Sequence, residues 1–564
     1  MRRRLAALSV SVAVAVGCAP SRPLVPPPYP LPAARVETRD GIRGLGSSFL
    51  RMREGIREAR LEGDAYRRGY DRGRLAYDEI LSVERDLRGM LERFLPSAFK
   101  RLLLQKVVAV HLRASIPGIP AEHLEEIVGL SDALSPDPFR EQWNPFARYL
   151  ALHALHDFSQ RYADDTPLAA ACTGFAASGP ATADGHTWMA RNFDFEGGDR
   201  LDREKIVAYV VPKDGIPYLS VTFAGLTGVT SGFNREGIGI FVNAWSAGET
   251  SSSGEPATLV AADVLERARN LAEAVGILQK AVVFVSDIYV VADGKTGELA
   301  VVEKTPTRSA VRRADNRILA ANHPETPDFA GARLAASSTS LYRRERLEEL
   351  LARQGPLDAK SAVRVLRDRR GKGDRDLSPG NRNAVNALIS SHSVIFDLTA
   401  RRAWVAQEPH GLGRFVAYSL DLGIGADPAD PRFQALASEG LPPDPWLTGG
   451  GYANYVASRR LLAEADLALT GKRPALAFAK AQEALRRAPG SAEALALSAE
   501  ALATTGDREG AGRLMAAALE RDPSPPPFAR SLEEFRAALA AGRPPPRRPA
   551  YPVRVTEGET VGSR

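Results

Sequence analysis

The sequence predicts an α+β protein in which two β-sheets are layered between helices. Three observations support this fold class. A long N-terminal segment has helical periodicity, a central segment has strand patterns separated by glycine turns, and two helical stretches at about 256–281 and 338–369 interrupt those strands. The chain has 564 residues, which is long enough for two or more domains.

The N-terminus has the pattern of a signal peptide over residues 1–17, with three arginines, an apolar run and small residues at the cleavage site. The stretch AVGC ending at Cys18 resembles the bacterial lipobox, in which the cysteine carries lipid and becomes the first residue. Ala15 departs from that pattern, where leucine is more usual. The alternative is ordinary cleavage with an incidental Cys18. The lipobox resemblance, with Ala19 next, implies a lipoprotein of the bacterial cell envelope, held in the outer membrane by its lipid alone and facing the periplasm or the surface.

Two segments separate the signal from the internal cysteine, Cys172. Residues 18–38 are rich in proline and predict an extended tether. Residues 39–171 predict a helical segment, because apolar residues recur at intervals of three and four from about Gly41 to Tyr162. Within it, LEGDAYRRGYDRG at 61–73 resembles a helix start punctuated by glycines.

The strands begin after Cys172 and continue to about residue 425. The stretch DGHTWMARNFDF predicts a turn and a strand, and KIVAYVVPKDGIPYLSVTFAG and TSGFNREGIGIFVNAWS each predict a pair. Three more strands are expected between Ser286 and His323, and two from Ala387 to Pro409. The order of helices, Cys172, strands, helices and strands suits two sheets between helical layers.

Composition excludes several classes of function. The net charge is only +6, and no basic block with interleaved aromatic residues indicates nucleic acid as a partner. No glycine loop of the phosphate-binding kind appears, so we expect no cofactor. His153 and His156 lie three apart on a predicted helix without a visible third ligand, so we expect no metal. Ser178 lacks the elbow motif of a serine hydrolase.

Five blocks in order resemble a known family. They are LEGDAYRRGYDRG at 61–73, CTGFAASGPATADGHTWMARNFDF at 172–195, GFNREGIGIFVNAW at 232–245, ANHP at 321–324 and SLYRRERL at 340–347. The chain resembles the C45 group of autoproteolytic acyltransferases and hydrolases, which are penicillin acyltransferase-like N-terminal-nucleophile hydrolases. This group is related to the choloylglycine hydrolase and penicillin V acylase family. The resemblance implies a four-layer αββα sandwich over 172–425, preceded by a pro-segment.

In this superfamily the nucleophile is the first residue of a chain, and its α-amine, with a pKa near 7.7, serves as the base. The resemblance implies that Cys172 attacks the carbonyl of Ala171 and cuts the chain there. The small chain would run from Cys18 to Ala171. Arg191 would favour the thiolate, and Asp194 would orient the α-amine. The alternative is that Arg191 and Asp194 form a solvent-facing pair.

Three further residues match family positions. Asn243 would donate to the oxyanion, and Asn322 would be a second donor or help bind the substrate. Arg343 matches the late arginine of its block, with Arg344 as the alternative register. The asparagines could instead cap turns, and the arginine could be a surface helix charge. We assign His323 no catalytic role.

The resemblance implies an enzyme acting on a small-molecule acyl amide or acyl ester, either an amidohydrolase or an acyltransferase. Two alternatives remain: an inert lipid-anchored interaction protein, and a phospholipase B-like lipid hydrolase. The alanine-rich helices over 453–540, with ALRRAP and ALERDP about 34 residues apart, resemble tetratricopeptide repeats that could hold a protein partner. A plain helical cap is the alternative. We expect these helices to be dispensable for chemistry and residues 541–564 to be disordered.

Overall fold

A mixed α and β architecture with two sheets is present in the computed structural model. It describes residues 28–32, 35–141, 143–162, 172–195, 199–245, 248–332, 334, 338–425, 427–545, 548–549 and 551. The signal peptide, Cys18 and Ala171 therefore lie outside the described residues. None of the helices in these ranges is both long enough and apolar enough to cross a membrane.

The larger sheet has eleven described strands, in the order β1-β2-β3-β4-β7-β8-β9-β10-β11-β12-β13. Only the contact between β4 and β7 is parallel, and it joins the N-terminal segment to the strands that follow Cys172. The strands are β1 Glu37–Arg39, β2 Ile42–Leu45, β3 Ser48–Arg53, β4 Ile56–Gly63, β7 Lys205–Pro212, β8 Tyr218–Phe223, β9 Ser231–Asn234, β10 Ile238–Ala244, β11 Asp287–Asp293, β12 Leu299–Lys304 and β13 Ser309–Ala314.

The smaller sheet has six described strands in the order β14-β5-β6-β15-β16-β17, and every pair is antiparallel. Cys172 immediately precedes β5, the strand next to the edge strand β14. The strands are β5 Thr173–Ala177, β6 Trp188–Asp194, β14 Arg317–Ala320, β15 Ser390–Asp397, β16 Arg402–Ala406 and β17 Phe415–Ser419. Between Ser286 and His323 the structure has four strands rather than the three predicted.

Helices cover the outer faces of both sheets. The N-terminal helices are α1 Ala65–Leu75, α2 Tyr77–Phe94, α3 Ala98–Ser115, α4 Ala121–Ala133, α5 Pro145–His153 and α6 Leu155–Tyr162. The helices between strands are α7 Asp199–Arg203, α8 Ala257–Arg267, α9 Leu271–Lys280, α10 Ser340–Arg353 and α11 Ala359–Leu366. The helical stretches predicted at about 256–281 and 338–369 are thus confirmed.

Three apolar clusters hold these layers together. Met189, Phe241 and Phe396 belong to the cluster between the two sheets. Helices α1 to α6, α8 and α9 bury apolar residues on the larger sheet, and α10 and α11 bury theirs on the smaller one. Burial of this apolar surface contributes about 25 cal/mol for each square ångström removed from water. Cys172 belongs to the cluster on the larger sheet, and 0% of its surface is exposed.

The helical prediction for residues 41–63 is wrong, because this stretch forms β2, β3 and β4. Its arginines and glutamates favour a helix by propensity, but pairing with β7 outweighs that small preference. Glu58 is fully buried in β4 and accepts from the guanidinium groups of Arg51 and Arg53 at 2.9 and 2.8 Å. From Ala65 onwards the helical prediction holds, and Asp64 caps α1 by accepting from the Arg67 N–H.

Two segments predicted to be extended or disordered contact the body of the protein where they are described. Tyr29 of the predicted tether stacks on Tyr66 with 4.6 Å between ring centroids. In the predicted disordered tail, Arg548 donates to Asp466 at 2.7 Å and Tyr551 donates to Glu500 at 3.0 Å. The prediction of disorder is therefore wrong for Arg548 and Tyr551, whereas the extended tether stays a prediction. Aromatic and arginine side chains give both segments packing that their proline content does not indicate.

The C-terminal part is a row of five longer helices, each packed on the next. Short helices α12 Leu420–Gly423, α13 Arg432–Ala437 and α14 Pro445–Thr448 lead into it. The five are α15 Gly451–Thr470, α16 Pro474–Arg487, α17 Ala492–Thr505, α18 Arg508–Leu519 and α19 Pro526–Ala540. This row contacts the core: Tyr452 packs with Leu388 and Leu412 in one apolar cluster.

Candidate active site

Cys172 lies where the N-terminal segment meets the smaller sheet. The next residue, Thr173, pairs with Asn192 in β6, so Cys172 lies beside the last residues of that strand. Arg191 and Asp194 lie on either side of Asn192 in β6, and both act electrostatically on the thiol. Three residues predicted for the site from sequence therefore lie near one another.

Arg191 is fully buried, and backbone and hydroxyl oxygens hold its guanidinium group in place. It donates to the carbonyl of Thr230 at 2.6 Å, to the Ser231 hydroxyl at 3.1 Å and to the carbonyl of Val242 at 2.7 Å. Gly174 makes room for it, because a Cβ at that position would lie only 2.8 Å from the Cβ of Arg191. Its partners are neutral, so within this set its charge is left to act on the thiol. The solvent-facing alternative for Arg191 and Asp194 is wrong, since both are 0% exposed.

Burial raises the pKa of the Cys172 thiol, and the positive charge of Arg191 acts in the opposite direction. The negative charge of Asp194 adds to the increase. A buried thiol of this kind is protonated at neutral pH, and the thiolate is the nucleophile. The site therefore needs a base that removes the thiol proton.

Asp194 is a buried carboxylate with one unused oxygen. The Ser390 hydroxyl donates to Oδ1 at 2.5 Å, and within the described residues Oδ2 accepts no hydrogen bond. Burial raises the pKa of Asp194 to about 6, although Ser390, Arg343 and other arginines lower it. An unpaired buried acceptor costs about 1–3 kcal/mol, so this oxygen marks a place for an N–H donor beside Cys172.

Arg343 joins the nucleophile to the second asparagine block. It is 1% exposed, and one nitrogen donates to the carbonyl of Cys172 at 2.6 Å and to the Thr173 hydroxyl at 2.5 Å. Another nitrogen donates to Oδ1 of Asn322 at 2.8 Å. Arg344 points elsewhere and pairs with Glu325 at 2.9 Å. The structure thus favours the register with Arg343 and excludes a surface position for it.

Asn243 and Asn322 form a reciprocal bridge between the two sheets. The amide nitrogen of Asn243 donates to the carbonyl of Ala321 at 2.9 Å, and that of Asn322 donates to the carbonyl of Ala244 at 2.8 Å. Within the described residues Oδ1 of Asn243 accepts no hydrogen bond. Each amide nitrogen carries two hydrogens, so that of Asn322 has a second N–H beyond this bridge, whereas that of Asn243 also makes a long contact, at 3.5 Å, with the carbonyl of Ala320.

Sequence reasoning missed three polar residues around these groups. Ser390 donates to Asp194, and Ser231 connects Arg191 to His392, whose Nε2 lies 2.9 Å from the Ser231 hydroxyl. Burial lowers the pKa of His392 well below its usual value, and Arg191 lowers it further. The sequence stretch ISSHSVIFD predicted only a strand, and its polar residues gave no spacing signal that linked them to Cys172.

The remaining polar residues noted in the sequence have packing partners. His153 lies between the carbonyl of Tyr149 at 2.6 Å and the Thr227 hydroxyl at 2.8 Å, whereas His156 contacts Asp287 at 3.1 Å. The two histidines therefore do not share a set of ligands. Ser178 donates to the carbonyl of Gly297 at 2.7 Å, and His323 Nδ1 lies 2.7 Å from the Ser340 hydroxyl.

Two substitutions test whether Arg343 or Arg344 belongs to the site. We expect Arg343→Met to lower the free energy of unfolding by about 3–5 kcal/mol, because it leaves several buried acceptors without a donor. The matched Arg344→Met change should cost about 1 kcal/mol or less, since it breaks only the partly exposed ion pairs with Glu325 and Glu348. Urea unfolding of both variants measures the difference. Equal losses would contradict the assignment of Arg343 to the site.

Comparison with known proteins shows that part of the chain is similar to one family. Residues 181–409 match the model of the family described as acyl-coenzyme A:6-aminopenicillanic acid acyl-transferase. This part of the chain, which contains β6, Asn243, Asn322 and Arg343, is thus similar to that family.

Three individual proteins that are similar to this chain share 14–28% sequence identity with it. An uncharacterized protein of Archaeoglobus fulgidus is 28% identical over 389 residues, and the matched region covers 61% of this chain and 62% of that relative. Among solved structures, the N-acylethanolamine-hydrolyzing acid amidase (NAAA) ortholog of Caenorhabditis elegans has a TM-score of 0.31 at 19% identity, covering 40% of this chain and 93% of that one. A mutant of the conjugated bile acid hydrolase of Clostridium perfringens has a TM-score of 0.30 at 14% identity, covering 45% and 95%.

Proposed function

We propose that this protein is an autoproteolytic cysteine amidohydrolase or acyltransferase of the N-terminal-nucleophile type, with a four-layer αββα core. The single observation that carries the proposal is the buried Oδ2 of Asp194 near Cys172, which accepts no hydrogen bond from the part of the chain that the structure describes. A carboxylate oxygen in that position fits an α-amine at Cys172, which exists only if the chain begins there. The match of residues 181–409 to an acyl-transferase family supports the reaction class.

Self-cleavage would proceed by an N-to-S acyl shift. The Cys172 sulfur attacks the carbonyl carbon of Ala171, the thiol proton passes to the departing Cys172 nitrogen, and a thioester replaces the peptide bond. Water then hydrolyses the thioester, which releases the Ala171 carboxylate and regenerates the thiol. Arg343 holds the carbonyl of Cys172 at 2.6 Å and so fixes the residue on the C-terminal side of the reacting bond.

Turnover would use the same thiol with a different base. The free α-amine of Cys172 takes the thiol proton, and Asp194 accepts an N–H from that amine and orients it. The thiolate, favoured by Arg191, attacks the carbonyl of an acyl amide or acyl ester, and the C–N or C–O bond breaks as the departing amine or alcohol takes a proton from the α-ammonium of Cys172, which leaves an acyl-thioester. The second N–H of Asn322 would stabilise the oxyanion, and Asn243 would join it by exchanging its long 3.5 Å contact with the Ala320 carbonyl for the oxyanion. The acyl-thioester then passes its acyl group to water or to an acceptor amine.

Mass spectrometry of the purified protein tests this proposal directly. We expect a large fragment that begins with Cys172 and that gains the mass of an acyl group when a slow acyl ester is added. A single uncut chain that nonetheless turns over a simple acyl amide would show that the α-amine is not the base. Uncut and inactive protein would favour an inert interaction protein.

The N-terminal lipid anchor is a separate proposal. Cys18 would carry a diacylglycerol group and hold the catalytic domain at the outer membrane. Labelled fatty acid should enter the wild-type chain and should not enter Cys18→Ala, which is checked by gel autoradiography after metabolic labelling. Equal label in both chains, or wild-type protein released into the medium, would contradict the proposal.

The C-terminal helices would form a tetratricopeptide-like unit that binds a protein partner and also supports the core. Ser524 donates to Asn381 at 2.7 Å and accepts from the Arg382 N–H at 2.7 Å, and Arg382 acts electrostatically on Asp194. Because of this contact, we expect truncation after Thr448 to lower turnover at least tenfold, rather than leave it unchanged. Turnover per cleaved molecule measures the effect. Unchanged turnover would show that the helices are dispensable for chemistry.

A further inference from the structure

A second cluster of chemically reactive side chains lies away from Cys172, between helices α4 and α8. His123 comes from α4 in the N-terminal segment, Asp263 comes from α8, and Glu255 lies just before α8. One ligand atom from each residue lies within 4.8 Å of the other two. The cluster therefore joins the two parts of the chain that the bond before Cys172 separates.

The distances between potential ligand atoms in this cluster match those between neighbouring ligands of one metal ion. Nε2 of His123 lies 3.1 Å from Oδ1 of Asp263 and 3.6 Å from Oε1 of Glu255. For a zinc ion with ligands at about 2.0–2.1 Å in a tetrahedral arrangement, neighbouring ligand atoms are separated by about 3.3 Å. One imidazole and two carboxylates form a donor set that suits a divalent transition metal.

Glu255 supplies an independent sign that a cation belongs here. Its side chain is 7% exposed, and within the described residues Oε1 accepts no hydrogen bond although it faces His123. A buried carboxylate oxygen without a hydrogen-bond donor is costly, and direct coordination of a cation removes that cost.

The arginines around this cluster pair mainly with other carboxylates, so they leave the cluster able to bind a cation. Arg267 lies 3.4 Å from Oδ1 of Asp263 but makes its shorter contact, at 2.7 Å, with Glu122. The neighbouring carboxylates of Glu126 and Glu266 are paired with Arg68, each at 3.0 Å. Among the described residues, only His123 forms an ion pair with Glu255, while Arg267 lowers the pKa of that carboxyl group from farther away.

We propose that His123, Glu255 and Asp263 bind a divalent metal ion, such as Zn²⁺, that clamps helix α4 onto helix α8. Water would complete the coordination shell. The clamp is remote from the thiol chemistry and acts on the stability of the assembly. The metal would join the two helices in the intact chain and equally in a cut one. The proposal therefore does not depend on self-cleavage.

Zinc binding to the full chain tests the site. Protein freed of metal with a chelator and titrated with Zn²⁺ should bind about one ion per chain, and zinc should raise the melting temperature. We expect Glu255→Gln and Asp263→Asn to weaken zinc binding at least tenfold and to remove the shift in melting temperature. These near-isosteric changes keep the fold even if His123→Ala does not.

The matched control uses a second group of possible ligands on the surface. His186 lies close to Asp184 and Asp397, but its side chain is 35% exposed. Zinc binding that is lost in His186→Ala and retained in Asp263→Asn would overturn the proposal. So would a native chain that binds no zinc and whose melting temperature does not respond to it, since the cluster is then an ion pair of His123 with the two carboxylates.

Discussion

Cys172→Ala is expected to migrate as one full-length band and to show no turnover, whereas the wild-type protein runs as two bands. The substitution removes the only group proposed to attack Ala171 and the substrate. Because no other described residue of the site carries a thiol, we expect turnover to fall by at least about 10⁴-fold. Denaturing gels measure cleavage, and hydrolysis of a simple acyl amide measures turnover.

Cys172→Ser is the control for a merely structural role of the thiol. The hydroxyl is nearly the same size, so the fold is preserved, but its alkoxide forms far less readily than a thiolate. We expect slow cleavage and weak turnover in this variant. Wild-type rates in either Cys172 variant would exclude Cys172 as the nucleophile.

Asp194→Asn is expected to lower turnover by about 10²–10⁴-fold at pH 7.5 in protein that has already been cut. The amide is isosteric but neutral, so it holds the α-amine less well. In the wild-type protein the pKa of Asp194 is about 6. The carboxylate is therefore present above pH 6 and is lost as the pH falls through that value, and turnover should decrease with it. The pH profile of kcat/KM measures this acid limb.

Ser390→Ala provides a second variant that separates chemistry from structure. The Ser390 hydroxyl donates to Asp194 and lowers the pKa of that carboxyl group. Without it the pKa should rise, so the acid limb should move to higher pH while the rate at high pH changes little. An acid limb that is unmoved in Ser390→Ala and retained in Asp194→Asn would contradict the proposed role of Asp194.

The strand and helix patterns after Cys172 could be predicted because the burial there is regular. Strands β6 to β8 are buried along nearly their whole length and have aromatic and β-branched residues between glycine turns. Strand β4 could not be predicted in the same way. Its buried positions include Glu58 and Arg60, and charged residues inside a sheet hide the alternation that would reveal a strand.

Only the site residues that lie in the family motifs could be predicted from the sequence. The block containing Arg191 and Asp194 places both beside Cys172, because β5 and β6 are adjacent strands joined by a short connection. The roles of Ser231 and Ser390 depend on contacts across many residues and on both sheets. No local pattern in the sequence encodes such contacts, so they become visible only with the fold.

The parallel pairing of β4 with β7 has a consequence for the reversibility of folding. Residues 57–63 pair with residues 206–212, so four strands of the larger sheet come from the segment before the proposed cut. In the cut protein these strands belong to a separate molecule, and unfolding releases two chains instead of one. Its apparent stability then depends on protein concentration, as for any obligate dimer. Dilution should therefore favour irreversible loss of the mature protein, whereas the uncut precursor refolds as a single chain.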